Sequence, residues 1–256
     1  MALRALPGYL DDMIEAMQFG LDNGVHIFNL SGGWGNADAA IRGANRYNAE
    51  LLLSIDVPWI CAAGNGDNYG GHYPVPSNIA SPGDCPNPWF NPGGTPSGVV
   101  TVGALNQDLT IWAYSSYGPT EWNIDNTYGE TDYHDFPYTP GLMKTDLATP
   151  GDMITSTNGN SGYVVYSGTS MATPLVTSAF CLIWSSTPQL LVPQVCELLE
   201  NTATDLTASP ASPGRDNHTG AGLLNIAGAL GQMPTAEAEL FWIHNDGDMP
   251  LIIEDI

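Results

Sequence analysis

Apolar residues recur at helical spacing from about Tyr9 to Asn23, with Leu10, Met13, Ile14, Met17 and Leu21 on one stripe and Gly24 as the stop. The period then shortens. Val25 to Leu30 reads as a buried strand, a second helix spans roughly Asp38 to Ser54, and Val57 to Ala63 reads as a second strand. Strand, helix and strand in that order predict parallel pairing through a right-handed crossover. Asp67 to Ser97 is rich in Pro, Gly and Asn and reads as loop, after which Val99 to Ala104 restores a buried strand. Met153 to Thr157 predicts a short strand, and Tyr163 to Tyr166 an apolar β-like run. The nearly uncharged run Leu175 to Trp184 predicts a buried helix. Pro188 marks a stop, and Pro193 opens a helix to about Asn201. The expected class is α/β with a parallel sheet.

The end of the chain has a different rhythm. Phe241-Trp242-Ile243 and Leu251-Ile252-Ile253 flank an Asn245-Asp246-Gly247 turn signal, which predicts a short hairpin. A lone two-stranded hairpin is marginal in water, so this tail must dock on the main domain or fray. The expected division is a main domain over 1–232, and a linker with the start of a β-sandwich-like appendage over 233–256.

Composition narrows the function classes. The 256 residues hold enough apolar material, 43%, for a sizeable core, and only 12% are charged. Five basic against 27 acidic residues give a net charge of −22, which argues against nucleic acid or an anionic membrane surface as partner. No run reaches the roughly 18 to 20 apolar residues of a membrane-spanning helix. Met1 to Arg4 leads straight into an acidic helix and not into a signal peptide. Cys61, Cys85, Cys181 and Cys196 lack zinc spacing and are too few for a disulfide framework. Cys61 and Cys181 sit in apolar runs and read as core thiols; a Cys61–Cys85 or Cys181–Cys196 bridge has no support in the pattern.

Chemistry concentrates at Ser167-Gly168-Thr169-Ser170-Met171-Ala172-Thr173-Pro174, between the β-like run and the apolar helix. Read alone, Thr-Ser before an apolar run is an ordinary helix cap. A serine there also meets free backbone N–H groups and the positive end of the helix dipole, which would stabilise an oxyanion. Read alone, Ser31-Gly32-Gly33 is a tight turn after a strand, and Gly64-Asn65-Gly66 a left-handed turn.

The full string Gly-Thr-Ser-Met-Ala-Thr-Pro resembles the nucleophile motif of the subtilisin-like serine proteases, the subtilases. The likeness extends in order along the chain. Asn29-Leu30-Ser31-Gly32-Gly33 resembles the substrate-aligning strand end, and Ala62-Ala63-Gly64-Asn65 the oxyanion-hole motif. Tyr114 to Pro119, Lys144 to Gly151 and Gly220 to Leu230 are similar to further family segments. The resemblance implies part of the subtilisin-like three-layer fold, with a short β-rich tail. It implies peptide hydrolysis with Ser170 as nucleophile, Asn65 in the oxyanion hole, and Ser31, Gly32, Gly33, Ala63 and Gly64 binding a polypeptide substrate as an added strand. Extracellular location is implied by family alone. Many subtilases bind calcium, and Glu121, Asp125, Glu130, Asp132 and Asp135 are clustered oxygens. Their spacing is not that of a calcium loop, so no metal site and no cofactor is assigned.

One departure matters for activity. The family places an Asp and a His upstream of the substrate strand, yet this sequence has no Asp-Thr-Gly, Asp-Ser-Gly or His-Gly-Thr-His. None of His26, His72, His134, His218 and His244 stands in the family's context, so no Asp and no His is transferred. A serine without an adjacent base is a weak nucleophile, and the chain alone is expected to be nearly inert. The expected partner is a missing N-terminal segment of the same protease. A peptide-binding pseudoprotease and one half of a split enzyme are the alternatives.

Overall fold

In the computed structural model, residues 10–66, 74–86, 97–120, 142–159 and 161–233 are described. Four strands, β1 (Phe28–Leu30), β2 (Trp59–Ala62), β3 (Val99–Leu105) and β4 (Leu147–Pro150), form one sheet in chain order. Every neighbouring pair is parallel, with Phe28 opposite Trp59, Trp59 opposite Val99, and Val102 opposite Leu147. Strands buried on both faces read as continuous apolar runs, which is why β2 and β3 stand out in the sequence.

Alternation along β2 splits the core. Ile60 points into a cluster with Val100, Val102, Ala104 and Leu147, closed by Val176, Phe180 and Ile183 of helix α3 (Thr169–Ser186) and Leu199 of α4 (Val192–Thr202). Ala229 of α5 (Ile226–Gln232) closes the same layer. Trp59 and Cys61 point the other way, against Met13 and Met17 of α1 (Leu10–Asp22) and Ala49 and Leu52 of α2 (Ala39–Ser54). The result is helix, sheet, helix: the expected three layers.

The local signals behave as their chemistry requires. Asp38 caps α2 by accepting from Ile41 N at 2.9 Å. Gly24 ends α1 with φ +73, where a side chain would be strained. Two sequence expectations are corrected, the start of the first strand and the burial of Cys181. The first strand begins at Phe28 and not Val25, because Val25 N donates to Gly20 O at 3.0 Å and the intervening residues close the helix end. Ile154–Thr157 (β5) and Tyr163–Tyr166 (β6), read as a short strand and a β-like run, pair as an antiparallel hairpin. Cys181 is exposed, and Leu175 and Leu182 of the same helix are exposed too, so α3 is not buried all round. Helical geometry turns 181 away from the sheet while 179, 180 and 183 face it. Cys61, Cys85 and Cys196 are buried, and all four cysteines are free.

An ion network ties β4 to α4. Lys144 Nζ and Arg215 Nη2 each lie 2.9 Å from one oxygen of Asp146, Arg215 Nη1 lies 2.6 Å from Glu200, and Thr101 N donates to Asp146 at 2.7 Å. Burial alone would raise the Asp146 carboxyl; Lys144, Arg215 and the Thr101 N–H outweigh it and hold the group below the ordinary range. Glu200 moves the other way, since burial raises it more than Arg215 lowers it. A carboxyl lowered by folding stabilises the native state above its unfolded pKa, about 3.9, and loses that contribution as pH falls through its folded value. Asp146→Asn is therefore expected to cost about 3 to 5 kcal/mol at neutral pH, because Lys144 is left buried without its counter-charge. Urea unfolding of both chains checks this: the gap should narrow on acidification, and a pH-independent gap would contradict the ionic account.

Candidate active site

Gly168 leads into α3 with φ +151, and its N–H donates to Gly151 O at 2.8 Å. This sharp entry places Ser170 in the first turn, where backbone N–H groups have no intrahelical acceptor. Behind it, Ser167 Oγ donates to Asp152 Oδ1 at 2.7 Å and accepts from Met153 N at 2.9 Å, fastening the hairpin to the helix entrance. Met153, Tyr163, Val165 and Tyr166 leave an exposed apolar surface on that hairpin.

Pro174 stands four residues after Ser170 and has no N–H to offer the Ser170 carbonyl. The vacancy is filled across the sheet: Ser31 Oγ donates to Ser170 O at 2.8 Å, while Ser170 Oγ donates to Ser31 O at 3.0 Å. Asn29 Nδ2 donates to Ser31 Oγ at 3.0 Å, and Thr177 Oγ1 donates to Asn29 Oδ1 at 2.9 Å. A directed chain Thr177, Asn29, Ser31, Ser170 thus clamps the end of β1 to the first turns of α3. Ser31→Ala removes the donor that Pro174 cannot replace. At this partly exposed site the expected cost is about 1 kcal/mol, read as a fall of roughly 2 to 4 °C in the thermal midpoint; an unchanged midpoint would contradict the clamp.

Asn65 lies beside the same turn. Its Oδ1 accepts from Thr169 N at 3.0 Å and Thr169 Oγ1 at 2.9 Å. Because Thr169 N–H demands an acceptor, the amide orientation is fixed and the Nδ2 donor is left facing away from it. A Cβ on Gly168 would stand 3.3 Å from Nδ2, so glycine there keeps the amide and the turn in close approach. Gly64 N reaches Thr169 Oγ1 at 3.2 Å.

The two glycine segments converge on Ala80-Ser81. A Cβ on Gly33 would come within 2.7 Å of Ser81 O and 3.0 Å of Ala80 Cβ, and one on Gly64 within 3.3 Å of Ala80 Cβ. Ala80 N donates to Ala63 O at 2.8 Å, and Trp34 and Ser81 exchange backbone bonds at 2.8 and 3.0 Å. Ser31, Gly33, Ala63, Gly64, Asn65 and Ser170 are thus joined through direct contacts and Ala80–Ser81, with Gly32 between Ser31 and Gly33. Sequence reasoning missed Ala80, Ser81, Thr169 and Thr177. Ala80 and Ser81 fall in a stretch whose only signal is loop, and a threonine on a helix has no signature of its own.

No described hydrogen bond joins Ser170 to a histidine or a carboxylate. His26 is exposed, and His218 stacks on Tyr117 with ring centroids 4.3 Å apart. Burial holds the His218 imidazole below its ordinary range against the upward pull of Asp216. His72, His134 and His244, and the acids from Glu121 to Asp135, lie outside the described residues. Among the described residues, no three His, Cys, Asp or Glu side chains gather as a metal-holding group. None of the described helices is long and apolar enough to cross a membrane.

Comparison with known proteins agrees with the geometry. Thermostable alkaline protease of Halalkalibacterium halodurans is 28% identical over 203 residues, covering 78% of this chain and 42% of that protein. Alkaline elastase YaB of Bacillus sp. (strain YaB) is 26% identical over 223 residues, covering 87% and 44%. The chain spans less than half the length of either relative. Among solved structures, Sphericase superposes with a TM-score of 0.62 at 27% identity, over 85% of this chain and 64% of that one. The sequence profile of the Subtilase family matches residues 3–222, and with that extent of agreement the chain belongs to the Subtilase family.

Proposed function

We propose that this chain carries the nucleophile and the oxyanion hole of a serine endopeptidase that hydrolyses polypeptides through an acyl-enzyme. The observation that carries the reading is the placement of Ser170 in the first turn of α3, hydrogen-bonded to the end of β1 and next to Asn65. Ser170 Oγ attacks the scissile carbonyl. The carbonyl oxygen becomes an oxyanion, which Asn65 Nδ2 and the Ser170 N–H stabilise. Collapse of the tetrahedral species expels the amine, and water then releases the acid by the reverse sequence. Ser31, Gly32 and Gly33, with Ala63 and Gly64, align the peptide as an added strand. The enzyme acts outside the cell, as the family resemblance implies, and no calcium site is assigned to the chain.

The proton of Ser170 needs an acceptor, and in this chain it goes to a backbone carbonyl, which is no base. In the family's order the Asp and His precede β1, so the segment that carries them, continuous with this chain or separate from it, would pair with β1. Two observations support that docking place. The outer side of β4 is covered, with Ala148 N bonded to Gly222 O and Leu224 N to Ala148 O, both at 3.0 Å, whereas β1 has no strand partner on its outer side among the described residues. Leu175 and Leu182 stay exposed on α3. The same openness favours a second reading, a peptide-binding module without turnover.

Fluorophosphonate labelling read by intact mass separates the two, with Ser170→Ala as control. Labelling that appears on mixing with a segment carrying the family's Asp and His supports the split enzyme. A folded mixture that binds peptide but never labels supports the binding module, and labelling of Ser170→Ala would contradict both.

A further inference from the structure

The four cysteines are distributed unevenly in the fold. Cys196 is buried in the layer that α3, α4 and α5 close over the sheet, and Cys181 is exposed on the outer face of α3. Cys61 and Cys85 share the opposite layer, both with no exposed surface, in one cluster with Ala49, Trp59 and Val99.

Hydrogen bonds lace their two segments together. Thr101 stands opposite Cys61 in the β2–β3 register and so faces the same layer. Its Oγ1 donates to Gly83 O at 2.6 Å, just before Cys85 in the chain. On the other side, Ala80 N donates to Ala63 O at 2.8 Å, just after Cys61. Between these ties Cys85 N donates to Pro82 O at 2.9 Å, a turn that keeps the cysteine against the sheet. Burial raises both thiols well above their ordinary range, and among the charges acting on Cys61 that of Cys85 is the largest. The two sulfurs thus lie within electrostatic reach of each other.

We infer that Cys61 and Cys85 are a disulfide pair, joined when the chain folds in an oxidising compartment and left as buried thiols when it folds in a reducing one. The oxidant is a small-molecule disulfide such as oxidised glutathione. One cysteine thiolate attacks a sulfur of oxidised glutathione and releases a first reduced glutathione; the second thiolate attacks the mixed disulfide and releases another. The pair gives up two protons and two electrons, and one glutathione disulfide is reduced for the one bond formed. This exchange belongs to the folding chain, because in the folded one both thiols are buried and held protonated. The bond ties β2, which runs on into Ala63, Gly64 and Asn65, to the segment that carries Ala80 and Ser81. It fastens two sides of the candidate site to each other without involving Ser170, so it stands or falls apart from the proposed hydrolysis.

The test is the full chain produced in two ways, in an oxidising bacterial periplasm and in a reducing cytosol, each trapped with iodoacetamide in guanidinium and mapped by mass spectrometry without reductant. The oxidised preparation is expected to yield one peptide pair linked through Cys61 and Cys85, with Cys181 and Cys196 alkylated. It is also expected to melt roughly 5 to 10 °C above the reduced preparation. In the folded reduced chain an aromatic disulfide should label Cys181, and Cys61 and Cys85 only on unfolding. Alkylation of both Cys61 and Cys85 in the oxidised preparation would overturn the inference. Linkage of either to Cys181, to Cys196 or to a second copy would overturn it as well, and a Cys61–Cys85 bond with an unchanged melting midpoint would contradict the fastening role.

Discussion

Mixed with a polypeptide that carries the family's Asp and His, the chain is expected to cleave a peptide amide about 10⁶-fold faster than it does alone. The scale is borrowed from subtilisin, a member of the same family, in which removing the Ser or His costs about 2 × 10⁶ in kcat. The physical reason lies in one hydrogen bond. Ser170 Oγ donates to Ser31 O at 3.0 Å, and a carbonyl cannot take the proton as the C–O bond forms. The oxyanion hole and substrate strand proposed for this chain would alone be worth only about 10³ to 10⁴ over water. Initial rates on a chromogenic peptide, with and without the added segment, check the prediction. Enzyme-like turnover by the chain alone would show that one of its own side chains supplies the base.

In that assembled enzyme, Asn65→Asp is expected to lower kcat by about 10²- to 10³-fold with KM little changed, again a subtilisin-derived magnitude. Aspartate is the discriminating replacement. Its carboxylate still accepts from Thr169 N and Thr169 Oγ1, so the support seen at 3.0 and 2.9 Å is kept. It cannot donate, so the oxyanion loses one of its two hydrogen bonds and gains a repulsive charge. Asn65→Ala adds the loss of the Thr169 acceptor and is expected to lower thermal stability as well. If Asn65 only holds the turn, Asn65→Asp will be close to wild type in kcat, and the oxyanion assignment fails.

The parts of this molecule most legible in sequence are those whose burial is total. Trp59 to Ala62 and Val99 to Leu105 are apolar because both faces of the sheet are covered, and they appear as strands wherever one looks. Helix α1 announces itself by one stripe and a terminal glycine. Cys181 was hidden by the opposite circumstance: an apolar run along α3 looks the same whether or not its outer face is covered. The site was half legible. Pro174 shows from sequence alone that the Ser170 carbonyl lacks its helical donor, but the donor that answers it is 139 residues away. Ser31 could be placed near the substrate only through the family motif. Ala80 and Ser81 were invisible, since small residues in a loop carry no periodicity, and their role comes from the closeness of Gly33 and Gly64.

The central claim is that Ser170 forms a covalent acyl-enzyme, and the most direct measurement is an acid-quenched reaction of the assembled protein with an activated peptide ester, mapped by mass spectrometry. The account predicts one acyl group on the peptide containing Ser170, formed in a burst, absent in Ser170→Ala and longer-lived when hydrolysis is slowed at low pH. Ester turnover with no adduct on Ser170, or with an adduct on another residue, would contradict it.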